Sequence, residues 1–168
     1  MLSTRRKERS IQSSRVSEII DELDLFLKKP SRTFYIDTYT DNSVTLRSPT
    51  LEINAGNLSD EDWKKILDFI VSKPGKIIPL SDFYRRVREK AFIFDMGDFK
   101  GLDRKEVMSI LKMLGVNVEE GEDELAKRIP NSDNLSMGWT KYVFVDLDEK
   151  TIKAFEIIRI ASPIRTTT

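Results

Sequence analysis

The spacing of apolar residues along the chain predicts three well-defined amphipathic helices. In the segment 16–29, apolar residues recur at intervals of three and four, which places them on one helical face. They are Val16, Ile19, Ile20, Leu23, Phe26 and Leu27. Pro30 ends this helix because proline cannot donate the next backbone hydrogen bond. The same spacing predicts helices after Ser59 and after Asp103, two residue types that cap helix N-termini.

The sequence also predicts two further helices, one loop and one long turn. Ser81-Asp82 caps a helix that extends to Ala91, and the segment 149–160 is predicted as a last helix. Its pattern is Ile152, Phe155 and Ile158, one apolar residue every three positions. The segment 92–102 contains Gly97 and Gly101 and is predicted as a loop. The polar segment 119–138 is predicted as a long turn.

Alternating and β-branched residues predict a small antiparallel sheet near the N-terminus. The segment 33–39 is rich in aromatic and β-branched side chains, and Asp41-Asn42 separates it from the alternating segment 43–47. This arrangement is typical of a β-hairpin. Leu51 and Ile53 suggest a third short strand. Further along the chain, 76–80 is a short extended piece, and 139–147 has the clearest strand pattern of all.

These elements predict an α+β fold with a winged helix-turn-helix core. From 59 to 147 the order is helix, short strand, helix, loop, helix, strand, long turn and strand, as in winged-helix domains. The predicted organisation is a flexible basic arm (1–15), an amphipathic helix (16–30), a hairpin segment (31–58), the winged-helix domain (59–147) and a C-terminal helix with a tail (148–168). The third helix of the core would be the recognition helix.

Four short segments carry a resemblance to a known family. They are Ile77–Tyr84, Leu102–Val107, Leu111-x-x-Leu114-Gly115-Val116 and Trp139-x-x-Tyr142-Val143-Phe144. Over about half of the chain they resemble the winged-helix domain at the C-terminal end of poxvirus-type viral and phage primase-helicases. The resemblance implies a viral or mobile-element origin. The chain departs from that family because it has no G-x-x-x-x-G-K-[ST] phosphate loop and therefore no ATPase module.

The composition narrows the chemistry that this chain can perform. Its 168 residues include no His and no Cys. Serine–histidine and cysteine nucleophile systems, disulfides and the usual zinc sites are therefore excluded. We expect no enzymatic activity, no cofactor and no metal. A weaker alternative is Mg²⁺ or Ca²⁺ bound by Asp95, Asp98 and Asp103. No apolar run approaches a membrane span and no secretory leader is visible, so an intracellular location in cytoplasm or nucleus is expected, without membrane contact.

The leading functional hypothesis is binding of double-stranded DNA, in transcription control or as a replication accessory. With 28 basic and 28 acidic residues the net charge is zero, so any basic surface must be local. The resemblance places bases and phosphates near the recognition helix, the helix before it and the wing, and the positive charge of residues 1–15 predicts that the N-terminal arm binds phosphate. The expected DNA-binding residues are Arg104, Lys105, Ser109, Lys112, Arg85, Arg86, Arg88, Lys127, Arg128, Lys141, Arg5, Arg6, Lys7 and Arg9.

A second hypothesis assigns the chain to protein association. The acidic stretch Glu119–Glu124 would repel phosphate, and the zero net charge does not favour nucleic acid. In that case the exposed face of helix 104–114 would contact a protein partner, for instance in a virion or other assembly. For the DNA-binding hypothesis, a homodimer through the terminal helices is expected, because two half-sites strengthen binding.

Overall fold

The computed structural model describes residues 8–79 and 89–163. The elements follow one another as β1 (Glu8–Gln12), α1 (Val16–Lys28), β2 (Thr33–Thr40), β3 (Ser43–Arg47), β4 (Thr50–Asn54), α2 (Asp60–Val71), β5 (Lys76–Pro79), β6 (Glu89–Leu102), α3 (Arg104–Met113), β7 (Asn117–Val118), α4 (Glu122–Arg128), β8 (Leu135–Asp146) and β9 (Thr151–Ala161). None of the helices in these two ranges is long and apolar enough to cross a membrane.

The described chain divides into two compact units. Unit 1 holds the described residues up to Pro30, those of Pro49–Phe94, and Lys141–Phe155. Unit 2 holds Ser31–Ser48, Asp95–Thr140 and the described residues from Glu156 onward. The long strands β6, β8 and β9 each contribute one part to unit 1 and the other part to unit 2. β6 is hydrogen-bonded to β8, and β8 to β9.

Unit 1 packs two helices against a mixed set of strands. β1 runs parallel to β4, which pairs antiparallel with the first half of β9, and β5 pairs antiparallel with β6. The apolar faces of α1 and α2 lie in one core with alternate residues of β4, β8 and β9. Its fully buried members include Ile19, Leu23, Ile53, Ile66, Ile70, Val143 and Ile152.

Unit 2 has a second, separate core. β2 and β3 form the antiparallel hairpin, β3 pairs with the second half of β9, and the short β7 runs parallel to β2. α3 and α4 supply the apolar side chains that pack with these strands. Fully buried members include Phe34, Val44, Leu46, Val107, Leu135 and Ile160. Burial of each such side chain stabilises the fold by about 1.5–3 kcal/mol before entropy is subtracted.

The winged helix-turn-helix prediction is wrong. The described chain is rich in strands, and β6, β8 and β9 are far longer than the strands of a small wing. The predicted C-terminal helix is strand β9, in which every second residue from 152 to 160 is buried, namely Ile152, Ala154, Glu156, Ile158 and Ile160. A period of two with β-branched residues is a strand pattern, and spacing by threes obscured it.

Three other segments differ from the prediction. The predicted loop 92–102 belongs to β6, where Phe92 and Phe94 are both buried. The polar segment 119–138 contains the short helix α4 and the beginning of β8. Residues 8–12 of the predicted arm form β1, because Ile11 packs against the core of unit 1. Most of the helix expected after Ser81-Asp82 lies outside the described residues.

The predictions that rest on local signals are confirmed. α1 and α3 begin and end within one residue of the predicted 16–29 and 104–114, α2 begins directly after Ser59, and 33–40 pairs with 43–47 as a hairpin. The Ser59 hydroxyl accepts a hydrogen bond from the Asp62 backbone N–H at 3.2 Å. Asp103 and Glu106 form a complete capping box at the start of α3. Such caps satisfy backbone N–H groups that a helix leaves without partners.

Candidate functional site

Strand β6 has an open edge in unit 2. Its partners are β5 on one side and β8 on the other. The pairing with β5 covers only Lys90–Ile93, opposite Pro79–Lys76. Within the described ranges, residues 95–102 therefore have a strand neighbour on one side only. An unpaired edge presents a row of backbone N–H and C=O groups that another strand can bind.

The side chains along this edge combine apolar and charged groups. Met96 and Phe99 are among the large apolar residues that stay exposed, at 39% and 37%. Asp98 and Lys100 lie two positions apart, and the Lys100 Nζ is 3.9 Å from the Asp98 carboxylate. Both charged side chains are well exposed to solvent. The edge thus offers backbone hydrogen bonds, two apolar contacts and a pair of opposite charges.

A polar groove of about 540 Å³ lies beside the edge in unit 2. Its lining comes from β6, β8 and β9 and consists largely of small or polar residues. These are Asp95, Met96, Gly97, Asp98, Ser136, Gly138, Thr140, Arg159 and Ala161. Glycine and alanine leave space for a ligand side chain. The carboxylates and hydroxyls accept hydrogen bonds, and the hydroxyls and the one guanidinium donate them. The groove can therefore receive a polar side chain next to a strand bound at the edge.

The structure brings together three of the residues expected to bind DNA. Lys105, Ser109 and Lys112 are exposed and recur along α3 at intervals of four and three. They therefore share one helical face. Glu106 is also exposed on α3, and it takes part in the capping box. This face carries two cations, which is a modest positive charge.

Three other candidates are engaged in contacts within their own unit. The Arg104 guanidinium donates to the backbone carbonyl of Ala126, which ties α3 to α4. Arg9 on β1 forms an ion pair with Glu22 on α1. Lys141 is fully buried, and its ammonium donates to the carbonyl oxygens of Phe26 and Lys29 at the end of α1. Cations favour a helix C-terminus, so Lys141 stabilises α1.

Arg128 stacks on an aromatic ring rather than projecting freely. Its guanidinium carbon lies 3.9 Å from the centroid of the Tyr39 ring. The Arg128 Nη2 and Nε also bond the Glu124 carboxylate, at 2.7 and 2.9 Å. The hydrogen bond to Glu124 raises the pKa of the Arg128 guanidinium, and Tyr39 adds to the shift. Lys127 is exposed nearby, and together with Tyr39 and Arg128 it lines a shallow depression on the surface of unit 2.

The remaining DNA candidates lie outside the described residues. They are Arg5, Arg6, Lys7, Arg85, Arg86 and Arg88. The whole sequence has 28 basic and 28 acidic residues and therefore no net charge. A neutral protein can bind phosphate only where its cations are concentrated on one face.

The carboxylates considered for a metal site do not converge. Asp103 caps α3, and Asp95 and Asp98 lie along β6. Among the described residues no group of three or more acidic side chains is arranged to hold a metal ion.

One buried carboxylate escaped the sequence analysis. Glu156 on β9 has no exposure, and its Oε1 accepts from the backbone N–H and hydroxyl of Ser31, both at 2.8 Å. Its Oε2 accepts from the Trp139 indole at 2.7 Å. A period-two reading of 152–160 would have revealed an acidic residue on the buried face of a strand. These three hydrogen bonds give Glu156 a structural role in unit 2.

Comparison with protein-family models, with curated proteins and with solved structures finds no match to this chain.

Proposed function

We propose that this chain is a non-catalytic protein-association module that binds an extended segment of a partner protein at the edge of β6. The observation that carries the proposal is the stretch 95–102, which has one strand neighbour among the described residues and exposes Met96 and Phe99. In this mode of recognition, main-chain hydrogen bonds supply affinity and adjacent pockets supply specificity.

The groove beside the edge supports the proposal. A strand added next to β6 extends the sheet by one position, about 4.8 Å beyond β6. Long side chains of that strand can reach across β6 toward Asp95 and the hydroxyl groups of Ser136 and Thr140. Asp95 and Asp98 on β6 favour a partner segment that places a cation opposite them.

Natural sheets protect their edges with charged side chains. Along the β6 edge, charged side chains alternate with exposed apolar ones. Asp95, Asp98 and Lys100 give this edge some protection against unspecific aggregation, because buried charge is costly. Phe99 lies between two of these charges, and a Cβ at Gly97 would be 3.6 Å from its ring. The exposed ring next to a glycine provides an apolar contact on an otherwise charged edge. This combination favours a specific partner over indiscriminate strand pairing.

The proposal is tested with a synthetic library of short peptides presented on a surface and probed with the purified chain. We expect the chain to bind peptides with a strand pattern. In Met96→Lys and Phe99→Lys the affinity for these peptides should fall by at least about tenfold, because a charge at the edge opposes strand addition. Met113→Lys is the matched control, since Met113 is 78% exposed on α3.

Either of two results would overturn the proposal. One is a library without a binding peptide. The other is loss of binding in Met113→Lys with full binding in Met96→Lys, which would move the partner to the exposed face of α3.

DNA binding stays a prediction for this chain. The exposed trio Lys105, Ser109 and Lys112 on α3 is its support among the described residues.

A further inference from the structure

We infer that the partner strand at the β6 edge is β6 of a second copy of this chain, paired antiparallel about Phe99. This inference rests on the proposed function and names the occupant of the same site. Antiparallel pairing of a strand with its own copy generates a twofold dimer with a self-complementary interface. The order of charges along β6 determines which register is favourable.

The Asp98–Lys100 pair is self-complementary in one register. Directly opposed residues in an antiparallel pair lie on the same face of the sheet. When Phe99 faces Phe99 of the copy, each Asp98 faces a Lys100 and each Lys100 faces an Asp98. Both side chains are available for this exchange, because they are exposed and their internal separation is a loose 3.9 Å. The dimer thus contains two opposed ion pairs.

Neighbouring registers are disfavoured by the same charges. Twofold pairing within a continuous sheet keeps equivalent side chains on the same face, so the centre of symmetry lies at a residue. Centring the pair on Asp98 places two carboxylates opposite each other, and centring it on Lys100 places two ammonium groups opposite each other. Like charges directly opposed destabilise a sheet. Centring on Phe99 avoids both conflicts, although it places Asp95 opposite Asp103 of the copy, one residue beyond the end of β6. It also brings two exposed rings together, which aromatic pairs favour.

The strand length and its exposure suit this occupant. The edge from 95 to 100 provides six residues of extended backbone, about the length of an average strand, before Gly101 adopts a left-handed conformation with a φ of +71°. Gly97 and Gly101 are equidistant from Phe99 and face each other in the same register, so no bulky side chains collide there. The sheet of unit 2 would then continue across the twofold axis.

Charge exchange tests the inference on the full chain by sedimentation velocity. We expect the unaltered protein to dimerise. Asp98→Lys and Lys100→Asp should each raise the dimer Kd by about tenfold or more, because each creates two like-charged pairs. The double variant Asp98→Lys/Lys100→Asp should dimerise like the unaltered protein. An equimolar mixture of the two single variants should form a heterodimer, because one carries two cations and the other two carboxylates.

A cross-link tests the register independently. The chain contains no Cys, so Phe99→Cys introduces a unique thiol. At the twofold centre two such thiols lie within disulfide range, and mild oxidation should yield a covalent dimer. Met96→Cys is the control, because in this register Met96 faces Leu102 and its two copies stay apart.

The outcomes separate this inference from the proposed function. A protein that remains monomeric at every concentration overturns the inference, and so does equal dimerisation of all charge variants. Peptide binding that is sensitive to Met96→Lys would leave the association module intact in both cases. If the library contains no binding peptide and the protein and all its charge variants remain monomeric, both the inference and the proposed function are overturned.

Discussion

The indole N–H of Trp139 donates a 2.7 Å hydrogen bond to the carboxylate of Glu156, a side chain without solvent exposure. Ser31 donates two further hydrogen bonds to the same carboxylate. Charged groups are costly to bury unless their hydrogen bonds are satisfied. This cluster therefore joins the start of β2 to β8 and β9 inside unit 2, and it is sensitive to the loss of any donor.

Trp139→Phe removes the indole donor and keeps an aromatic ring. We expect the free energy of unfolding to fall by about 1–3 kcal/mol, because the buried carboxylate loses a hydrogen-bond partner. Urea denaturation followed by circular dichroism measures this change. Ser31→Ala removes a different donor to the same carboxylate, so its effect and that of Trp139→Phe should not add in the double variant. A Trp139→Phe protein as stable as the unaltered chain would show that this hydrogen bond is dispensable.

Asp103→Ala removes the N-cap of α3. The expected loss of unfolding free energy is about 1 kcal/mol, since the Glu106 backbone N–H loses the carboxylate that accepts its 2.8 Å hydrogen bond. Glu106→Gln is the matched control, because glutamine preserves the reciprocal bond of a capping box. Equal thermal stability of Asp103→Ala and the unaltered chain would argue that the cap contributes nothing.

Asp24 on α1 gives a prediction for the dependence of stability on pH. Its hydrogen bond to Lys28, at 2.7 Å, lowers the pKa of the carboxyl group below the ordinary value of 3.8, and Lys73 contributes. A carboxylate with a depressed pKa in the folded protein stabilises it above pH 3.8. That contribution is lost as the pH falls through the folded-state pKa.

Asp24→Asn removes this titration. The stability difference between Asp24→Asn and the unaltered chain should be constant near neutral pH and shrink below pH 3.8. Denaturation series at several pH values measure it. Because the pair is exposed to solvent, the difference should also shrink with added salt. A difference that grows on acidification would contradict the assigned direction.

Local signals predicted much of the fold, whereas long-range pairing determined the rest. Asp103, Glu106 and Ser59 act within three residues of their partners, so the sequence reveals the beginnings of α2 and α3. β6 and β9 depend on strands that are distant in the chain. Their glycines and their mixed apolar spacing resemble a loop and a helix until the neighbouring strands are known. The open β6 edge depends on where β5 stops, which no local pattern encodes.

The candidate binding residues also divide into those whose positions follow from local sequence signals and those whose positions depend on long-range contacts. The exposed face shared by Lys105, Ser109 and Lys112 follows from helical spacing, which the sequence predicted. The burial of Lys141 follows from its position at the end of α1, 112 residues away from Lys29 in sequence. A basic residue in a strand gives no signal of such a contact, because most lysines remain in solvent.

Binding of a fluorescent random DNA duplex, measured by anisotropy over a range of salt, tests the DNA prediction. If the chain binds, the logarithm of the affinity should fall with the logarithm of salt concentration. Lys105→Ala and Lys112→Ala should each reduce the slope by about one if they contact phosphate. Lys64→Ala serves as the control, because Lys64 is an exposed lysine on α2 rather than on α3. Absence of binding at low salt would remove the DNA hypothesis.

Hydrogen–deuterium exchange along residues 95–102 tests the association edge most directly. The exchange is measured at low and high protein concentration and with a binding peptide from the library. We expect slower exchange in β6 on association, because the added strand bonds the outward backbone N–H groups, and unchanged exchange in α3. Protection of α3 with no change in β6 would contradict the account and place the partner on the helix.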